Sequence, residues 1–106
     1  MPTTIDPRRD LTTLINVFTV APDRQRELAD LLNAATEQVM RHVPGFISAN
    51  IHLSDDGTRV VNYAQWESAE TYRAMLTDPV AREHMGKAAE LAEGFEPNLY
   101  RVDAVH

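Results

Sequence analysis

The hydrophobic residues of this chain recur with two different periods. The stretches 11–20 and 46–54, and the residues from Val60 onward, are rich in β-branched and aromatic residues or alternate apolar with polar positions. These patterns predict three strands. Residues 98–105 alternate in the same way and predict a fourth strand.

Helical spacing separates these strands. Apolar residues three and four positions apart predict one helix between Pro22 and the Pro44-Gly45 pair, a short helix over 68–76, and a third helix over 80–92. Proline suits the first turn of a helix, because its missing N–H has no partner there. The resulting order, β-α-β-β-α-β, predicts an α+β domain of the ferredoxin-like type, with helices on one face of a four-stranded antiparallel sheet.

The opposite face of this sheet has no predicted covering. The expected strand faces place six apolar side chains on it: Ile47, Ala49, Ile51, Leu53, Val61 and Tyr63. An apolar patch of this size is typical of an association surface, and two-fold dimers are the commonest oligomers. We therefore expect a homodimer whose sheets meet face to face. Residues 1–10, with two prolines and four charged residues, are expected to form a flexible N-terminal arm before a single domain over 11–106.

The segment 54–58, Ser-Asp-Asp-Gly-Thr, predicts the turn of a β-hairpin. A type I turn that ends in a left-handed glycine gives a three-residue loop, and this register places His52 on the same sheet face as Asn62 and Trp66. A two-residue turn at Asp56-Gly57 shifts the pairing by one residue and separates His52 from Asn62. We favour the three-residue loop.

Composition excludes several classes of function. A chain of 106 residues is enough for one domain with one modest core. The net charge of −6 argues against a nucleic acid or an anionic membrane as partner. The chain has no cysteine, so disulfides, thiolate nucleophiles and cysteine-ligated metals are excluded, and its four histidines lack the spacing of a metal site. No secretory signal and no run of roughly 20 apolar residues is found, so we expect a cytoplasmic protein.

The junction between the third strand and the following helix carries the most informative polar residues. Asn62 and Trp66 are four apart in a strand and share a sheet face. Ser68 suits the helix N-cap, and Tyr72 follows on the first turn. Because an asparagine buried in a strand is costly unless its amide is paired, Asn62 indicates a pocket, as does Asn16 in the first strand. Trp66 and Tyr72 are also typical of plain core aromatics.

Three segments of the chain resemble the antibiotic biosynthesis monooxygenase family of the dimeric α/β-barrel superfamily. They are Val-Pro-Gly-Phe at 43–46, Asp-Gly-Thr at 56–58 and Val-Asn-Tyr-Ala-Gln-Trp-Glu-Ser at 61–68. The resemblance extends over 12–105, and the last segment is most similar to members that oxidise anthrones. It implies a homodimeric monooxygenase that uses O2 to convert an anthrone-type aromatic polyketide into a quinone without metal, flavin or haem.

The resemblance also implies a set of site residues. The family's pocket asparagine, tryptophan and tyrosine map onto Asn62, Trp66 and Tyr72, and its strand-two histidine maps onto His52. In that arrangement the Asn62 amide and the Trp66 indole donate hydrogen bonds to a substrate oxyanion. Tyr72 holds a substrate hydroxyl, and His52 accepts a proton.

The basic residue that the family carries on its last helix has no clean counterpart, because Met85 occupies the matching position. Arg82 and His84 are nearby and, with Asn16, are candidate substrate-binding residues. Lys87 is a further nearby cation. Arg82 and Lys87 are equally typical of solvated charges on a helix surface.

Two alternatives remain open. A haem-degrading monooxygenase of the same fold uses an asparagine and a histidine that resemble Asn16 and His84, although Met75 stands where that group has a helix tryptophan. A dimeric small-ligand binding module without chemistry keeps the same pocket, because fold alone does not define function.

Overall fold

The structure, a computed structural model, describes residues 2–106. Its strands and α-helices follow in the order β1 (Thr12–Thr19), α1 (Gln25–Gln38), β2 (Phe46–Leu53), β3 (Arg59–Trp66), α2 (Ala69–Met75), α3 (Pro79–Leu91) and β4 (Gly94–Tyr100). Single 3-10 turns at Pro22–Arg24 and Met40–His42 flank α1. The strands form one antiparallel sheet in the order β2-β3-β1-β4. The predicted ferredoxin-like fold is confirmed.

The helices cover one face of the sheet and create the core there. Buried apolar residues at alternating positions of the central strands supply the sheet side of this core: Leu14 and Phe18 from β1, and Val60, Ala64 and Trp66 from β3. Leu28 and Ala88, both almost fully buried, supply part of the helix side. No helix within residues 2–106 is long and apolar enough to span a membrane.

Side-chain caps set the start of the two later helices. The Ser68 hydroxyl accepts the Thr71 N–H at 3.1 Å, and the Thr71 hydroxyl accepts the Ser68 N–H at 3.2 Å. This reciprocal arrangement satisfies two backbone donors that the first turn of α2 leaves free. Asp78 caps α3 by accepting the Val80 N–H at 2.9 Å, with Pro79 in the first helical position. The predicted helix starts are therefore confirmed.

The register of the β2–β3 hairpin differs from the one we favoured. Gly57 has a φ of 79°, as the turn required, but Leu53 lies opposite Val60 and the loop spans the four residues 55–58. His52 consequently lies opposite Val61 instead of Val60. The expectation that His52 shares a sheet face with Asn62 and Trp66 is wrong, because a shift of one residue moves every side chain of a strand to the other face.

The same register changes the composition of the open sheet face. Ala49, Ile51 and Leu53 are on strand positions that face the helices, so the predicted patch was wrong for them. Val61 and Tyr63 lie on the open face as predicted, beside their β1 partners Val17 and Ile15. Polar positions of β2 complete this face: Ser48, Asn50 and His52.

The N-terminal segment contacts this open face. The Thr3 hydroxyl donates to Asn50 Oδ1 at 2.8 Å, and Gln65 Nε2 donates to the Thr4 carbonyl at 2.8 Å. Gln65 is 3% exposed although it lies on the face opposite the helices. Division of the chain at residue 10 stays a prediction, and residues 2–11 form neither helix nor strand.

The last strand begins earlier than predicted. β4 covers Gly94–Tyr100 instead of 98–105, and Pro97 lies within it, opposite Asn16 of β1. Proline is tolerated at this position because β4 is an edge strand. The earlier start of β4 affects the site, because it places Phe95 on the helix-facing side of the sheet, opposite Phe18.

Candidate active site

A cavity of about 220 Å³ lies between the helix-facing side of the sheet and the helices. Its wall is predominantly apolar, and every α-helix contributes to it. An apolar cavity of roughly 150 Å³ is large enough to hold benzene, so this space is large enough for an aromatic ring. The residues that line its sheet side include Leu14, Asn16, Phe18, Phe46, Ala49, Asn62, Ala64, Trp66, Phe95 and Pro97.

Three polar atoms in this wall have no hydrogen-bond partner among residues 2–106. They are Asn16 Oδ1, Asn62 Oδ1 and Trp66 Nε1, and all three are buried. Asn16 lies directly opposite Asn62 in the β1–β3 pairing, so the two amides are neighbours on one face of the sheet. An unsatisfied buried polar group costs about 1–3 kcal/mol, and nearly all such groups in folded proteins are paired. This cluster is therefore a candidate ligand site, at which a bound molecule would supply the missing partners.

Aromatic contacts hold the Trp66 indole in place. Its ring centroid lies 5.6 Å from that of Phe46 at 90° and 6.0 Å from that of Tyr72 at 69°. Both angles are edge-to-face arrangements, which aromatic pairs prefer. Burial raises the pKa of Tyr72 above its usual value, so its hydroxyl keeps its proton at neutral pH and can donate a hydrogen bond. Asn62, Trp66 and Tyr72 line one cavity, as the sequence predicted.

A close backbone approach positions this aromatic group. The Gly45 carbonyl accepts the Glu67 N–H at 2.8 Å, which links the start of β2 to the residue after Trp66. Gly45 has a φ of 89°, and a Cβ at this position would collide with the Thr71 side chain. Only glycine therefore allows the chain to pass so close to the first turn of α2, from which Tyr72 projects.

The structure separates the predicted basic residues. His84 of α3 is half-buried and lines the cavity. His52 is exposed on the open face of the sheet, with its Nδ1 3.1 Å from the Asn50 carbonyl. Arg82 is exposed and is not among the residues that line the cavity. The structure thus brings His84 and Asn16 to Asn62, Trp66 and Tyr72, but it does not bring His52 or Arg82 there.

Sequence reasoning missed most of the helix-side wall. Met40, Met75 and Met85 line the cavity together with Leu32, Ala35, Thr36 and Leu76. Helical spacing identified an inner face for each helix, but it gives no signal for where packing leaves space. Phe95 and Pro97 were missed because the last strand was expected to begin after them. Within residues 2–106, no group of three or more histidine, aspartate or glutamate side chains is arranged to hold a metal ion.

Comparison with known families identifies the class of protein to which this fold and this cavity belong. A model of the antibiotic biosynthesis monooxygenase family matches residues 12–93. The chain therefore belongs to this family, and it is a monooxygenase, as the sequence predicted.

Individual relatives agree with this assignment. Tetracenomycin-F1 monooxygenase of Streptomyces glaucescens is 58% identical over 81 residues, which cover 76% of this chain and 72% of the relative. A monooxygenase from the gene ActVA-Orf6 of Streptomyces coelicolor, solved in complex with nanaomycin D, is 33% identical with a TM-score of 0.80 over 95% of this chain and 94% of its own. SnoaB, a cofactor-independent oxygenase from Streptomyces nogalater, is 24% identical with a TM-score of 0.74 over 91% and 96% of the two chains, and it supports the fold alone.

Proposed function

We propose that this protein is a cofactor-independent monooxygenase that uses O2 to oxidise an anthrone-type aromatic polyketide to a quinone. The names of two relatives support this substrate class, since one is named for tetracenomycin F1 and the other was solved with nanaomycin D. The observation that carries the proposal is the apolar cavity with three unpartnered buried polar atoms, Asn16 Oδ1, Asn62 Oδ1 and Trp66 Nε1.

The proposed reaction needs no electron donor other than the substrate. An anthrone CH2 group becomes a carbonyl, one oxygen atom of O2 enters the product, and the other leaves as water. Two C–H bonds are broken, and the four electrons released from the substrate reduce O2 completely. Because triplet O2 reacts poorly with neutral closed-shell molecules, the substrate must first lose a proton and become an electron-rich anion. The protein has to bind the ring system, stabilise that anion and move protons.

The polar atoms of the cavity match these tasks. The Trp66 indole N–H is a neutral donor without a partner, and an asparagine amide can present either its NH2 group or its oxygen to a ligand. In our proposal, Asn62 and Trp66 donate to the oxyanion that forms when the anthrone is deprotonated. Asn16, on the neighbouring strand, and the protonated Tyr72 hydroxyl hold other oxygens of the substrate. Such preorganised donors stabilise developing charge in a water-poor site.

Oxygen uptake with the anthrone dithranol tests the proposal. We expect protein-dependent uptake and quinone formation in chelator-containing buffer, after subtraction of spontaneous oxidation. Trp66→Phe keeps an aromatic ring but removes the N–H, so uptake should fall by about 100-fold, as when one oxyanion donor is lost. His52→Gln is the control, because His52 is exposed on the other sheet face and its replacement should leave uptake unchanged.

The proposal is contradicted if oxygen uptake equals the protein-free rate with both dithranol and tetracenomycin F1. If, in addition, added haem gives a visible absorption band that His84→Ala lacks, the haem-degrading alternative replaces our proposal, since Asn16 and His84 do line one cavity.

We also propose that the open sheet face forms a homodimer. Val17 lies opposite Val61 and Ile15 opposite Tyr63, which gives four neighbouring apolar side chains on this face, each half-buried in the single chain. Wild type is expected to have the mass of a dimer by light scattering after size exclusion, and Val61→Lys is expected to have that of a monomer, because a buried unpaired charge is costly. A wild-type monomer at micromolar concentration would contradict this proposal.

A further inference from the structure

The proposed reaction begins with removal of a proton from carbon, and the cavity wall offers few groups that can accept one. Among the described residues that line the cavity, only Tyr72 and His84 carry an ionisable side chain. The sheet and α1 contribute apolar, amide, indole and hydroxyl side chains but no carboxylate and no lysine or arginine. Within the described chain, these two residues are therefore the candidates for the base that acts on the bound substrate.

Tyr72 does not meet the requirement for a base. Its side chain is 8% exposed, and burial disfavours the charged phenolate. A phenol that keeps its proton is a hydrogen-bond donor to the substrate and cannot take a second proton from it. This leaves His84, whose neutral imidazole has a ring nitrogen that can accept a proton.

The surroundings of His84 support this role. It lines the cavity from α3 and is half-buried, whereas its charged helix neighbours Arg82, Glu83 and Lys87 are exposed. Lys87 and Glu83 form an ion pair at 3.9 Å on the outer surface of the helix. No charged side chain from the sheet, α1 or α2 lines the cavity. The Asn16 and Asn62 amides belong to the sheet side, so a flat ligand between them and α3 is contacted by amides from one layer and by the imidazole from the other.

We infer that His84 is the general base of the oxygenation, an inference that rests on the proposed function. The neutral imidazole takes one proton from the CH2 group, and the C–H electron pair moves to the carbonyl oxygen, where Asn62 and Trp66 stabilise the anion. The anion gives its electrons to O2, a C–O bond forms, and the imidazolium protonates the resulting peroxide. His84 then removes the second C–H proton, the O–O bond breaks, and the leaving hydroxide takes that proton to become water. His84 ends the cycle neutral.

Proton abstraction can be measured without oxygen. Under anaerobic conditions in D2O, wild type is expected to accelerate the exchange of the dithranol CH2 protons over the protein-free rate, followed by NMR. His84→Gln keeps a polar side chain but has no basic nitrogen, so both exchange and aerobic oxygen uptake should fall by about 100-fold or more, the usual contribution of general base catalysis. The matched control is His52→Gln, the same substitution on the other sheet face, which should retain both rates.

Binding is measured in the same variants through tryptophan fluorescence. Trp66 is the single tryptophan of the chain and lies in the cavity wall, so a quinone in the cavity should quench its emission. His84→Gln is expected to bind the quinone with an affinity within about threefold of wild type, since we assign it proton transfer and not anchoring.

Each other outcome has a defined meaning. The assignment of His84 as the base is wrong if His84→Gln exchanges the CH2 protons at the wild-type rate, or if it loses quinone binding as well as exchange. It is also wrong if wild type takes up oxygen without accelerating the exchange. If wild type catalyses His84-dependent exchange but consumes no oxygen, the monooxygenase proposal fails while His84 remains the base. The two failures are therefore distinguishable.

Discussion

The Asn62→Leu variant is expected to lose oxygen uptake and yet to unfold at a higher temperature than wild type. The activity should fall by about 100- to 1,000-fold, because the substitution removes one of the two donors that we propose for the substrate oxyanion. Stability should rise, because Asn62 Oδ1 is buried without a partner in the ligand-free protein, and replacing an unsatisfied amide by an apolar group of similar shape removes its desolvation penalty. A change of about 1 kcal/mol shifts the unfolding midpoint by roughly 4–8 °C in a domain near this size.

Asn50→Leu is the matched control for this prediction. Asn50 also lies in a strand, but its Nδ2 donates to the Tyr63 carbonyl at 3.0 Å and its Oδ1 accepts from the Thr3 hydroxyl at 2.8 Å. Its loss should lower stability by about 1 kcal/mol and leave oxygen uptake unchanged, because it lies on the face away from the cavity. The unfolding temperature should thus rise in Asn62→Leu and fall in Asn50→Leu, while oxygen uptake should be lost only in Asn62→Leu.

A lower unfolding temperature for Asn62→Leu in the ligand-free protein would show that the Asn62 amide stabilises the fold. The interpretation of Asn62 as a ligand-binding group would then be wrong. Unchanged oxygen uptake in the same variant would remove it from the mechanism.

Among the four glycine positions of the chain, Gly45→Ala is expected to be the most destabilising alanine substitution. A Cβ at Gly45 collides with Thr71, whose side chain is held in the N-terminal cap of α2. The positive φ of 89° adds about 1–2 kcal/mol for any residue with a Cβ. Because neither strand β2 nor the capped turn can move freely, we expect a total loss of about 3 kcal/mol or more, in the upper range of single substitutions.

Gly86→Ala provides the comparison. Gly86 lies in α3, and a Cβ there meets no atom within 4 Å. Alanine is favoured over glycine inside a helix by about 1 kcal/mol, so this variant should be more stable than wild type. Chemical denaturation of the two variants measures the difference, and equal stability of Gly45→Ala and wild type would show that the approach between Gly45 and Thr71 is not tight.

Local sequence signals predicted the fold well where one residue type has one structural use. Ser68 marks the start of α2, and Gly57 marks a left-handed turn position. The turn did not define the hairpin register, because a left-handed glycine fits both a three-residue and a four-residue loop. Pairing of β3 with β1 buries Val60 and Asn62 on the helix side, and this long-range packing determines which face of β2 carries His52. Tertiary contacts of this kind are absent from a local pattern.

The candidate site was likewise predictable only where a local sequence signal exists. Asn16 and Asn62 could be recognised because polar side chains are unusual inside a strand that faces a core. His84 was found only through the family resemblance, and all three residues line the cavity. Its apolar helix wall was unpredictable, because Met75 and Met85 are equally suited to filling a core or to bordering a cavity. Only the volume that packing leaves between the sheet and the helices distinguishes a methionine that fills the core from one that borders a cavity.

The two walls of the cavity differ in how easily they can change shape. The sheet-side wall contains Asn16 and Asn62, which lie opposite each other on β1 and β3. Backbone hydrogen bonds of a central strand pair hold opposed Cα atoms about 4.5–5.5 Å apart, so the backbone spacing of Asn16 and Asn62 does not depend on the packing of the helices. The facing wall contains Met40, Met75 and Met85, whose unbranched side chains change shape readily. If the cavity binds the proposed substrate, replacing these methionines should change which ring systems fit while the backbone positions of Asn16 and Asn62 stay the same, so the helix wall is the place to redesign substrate range.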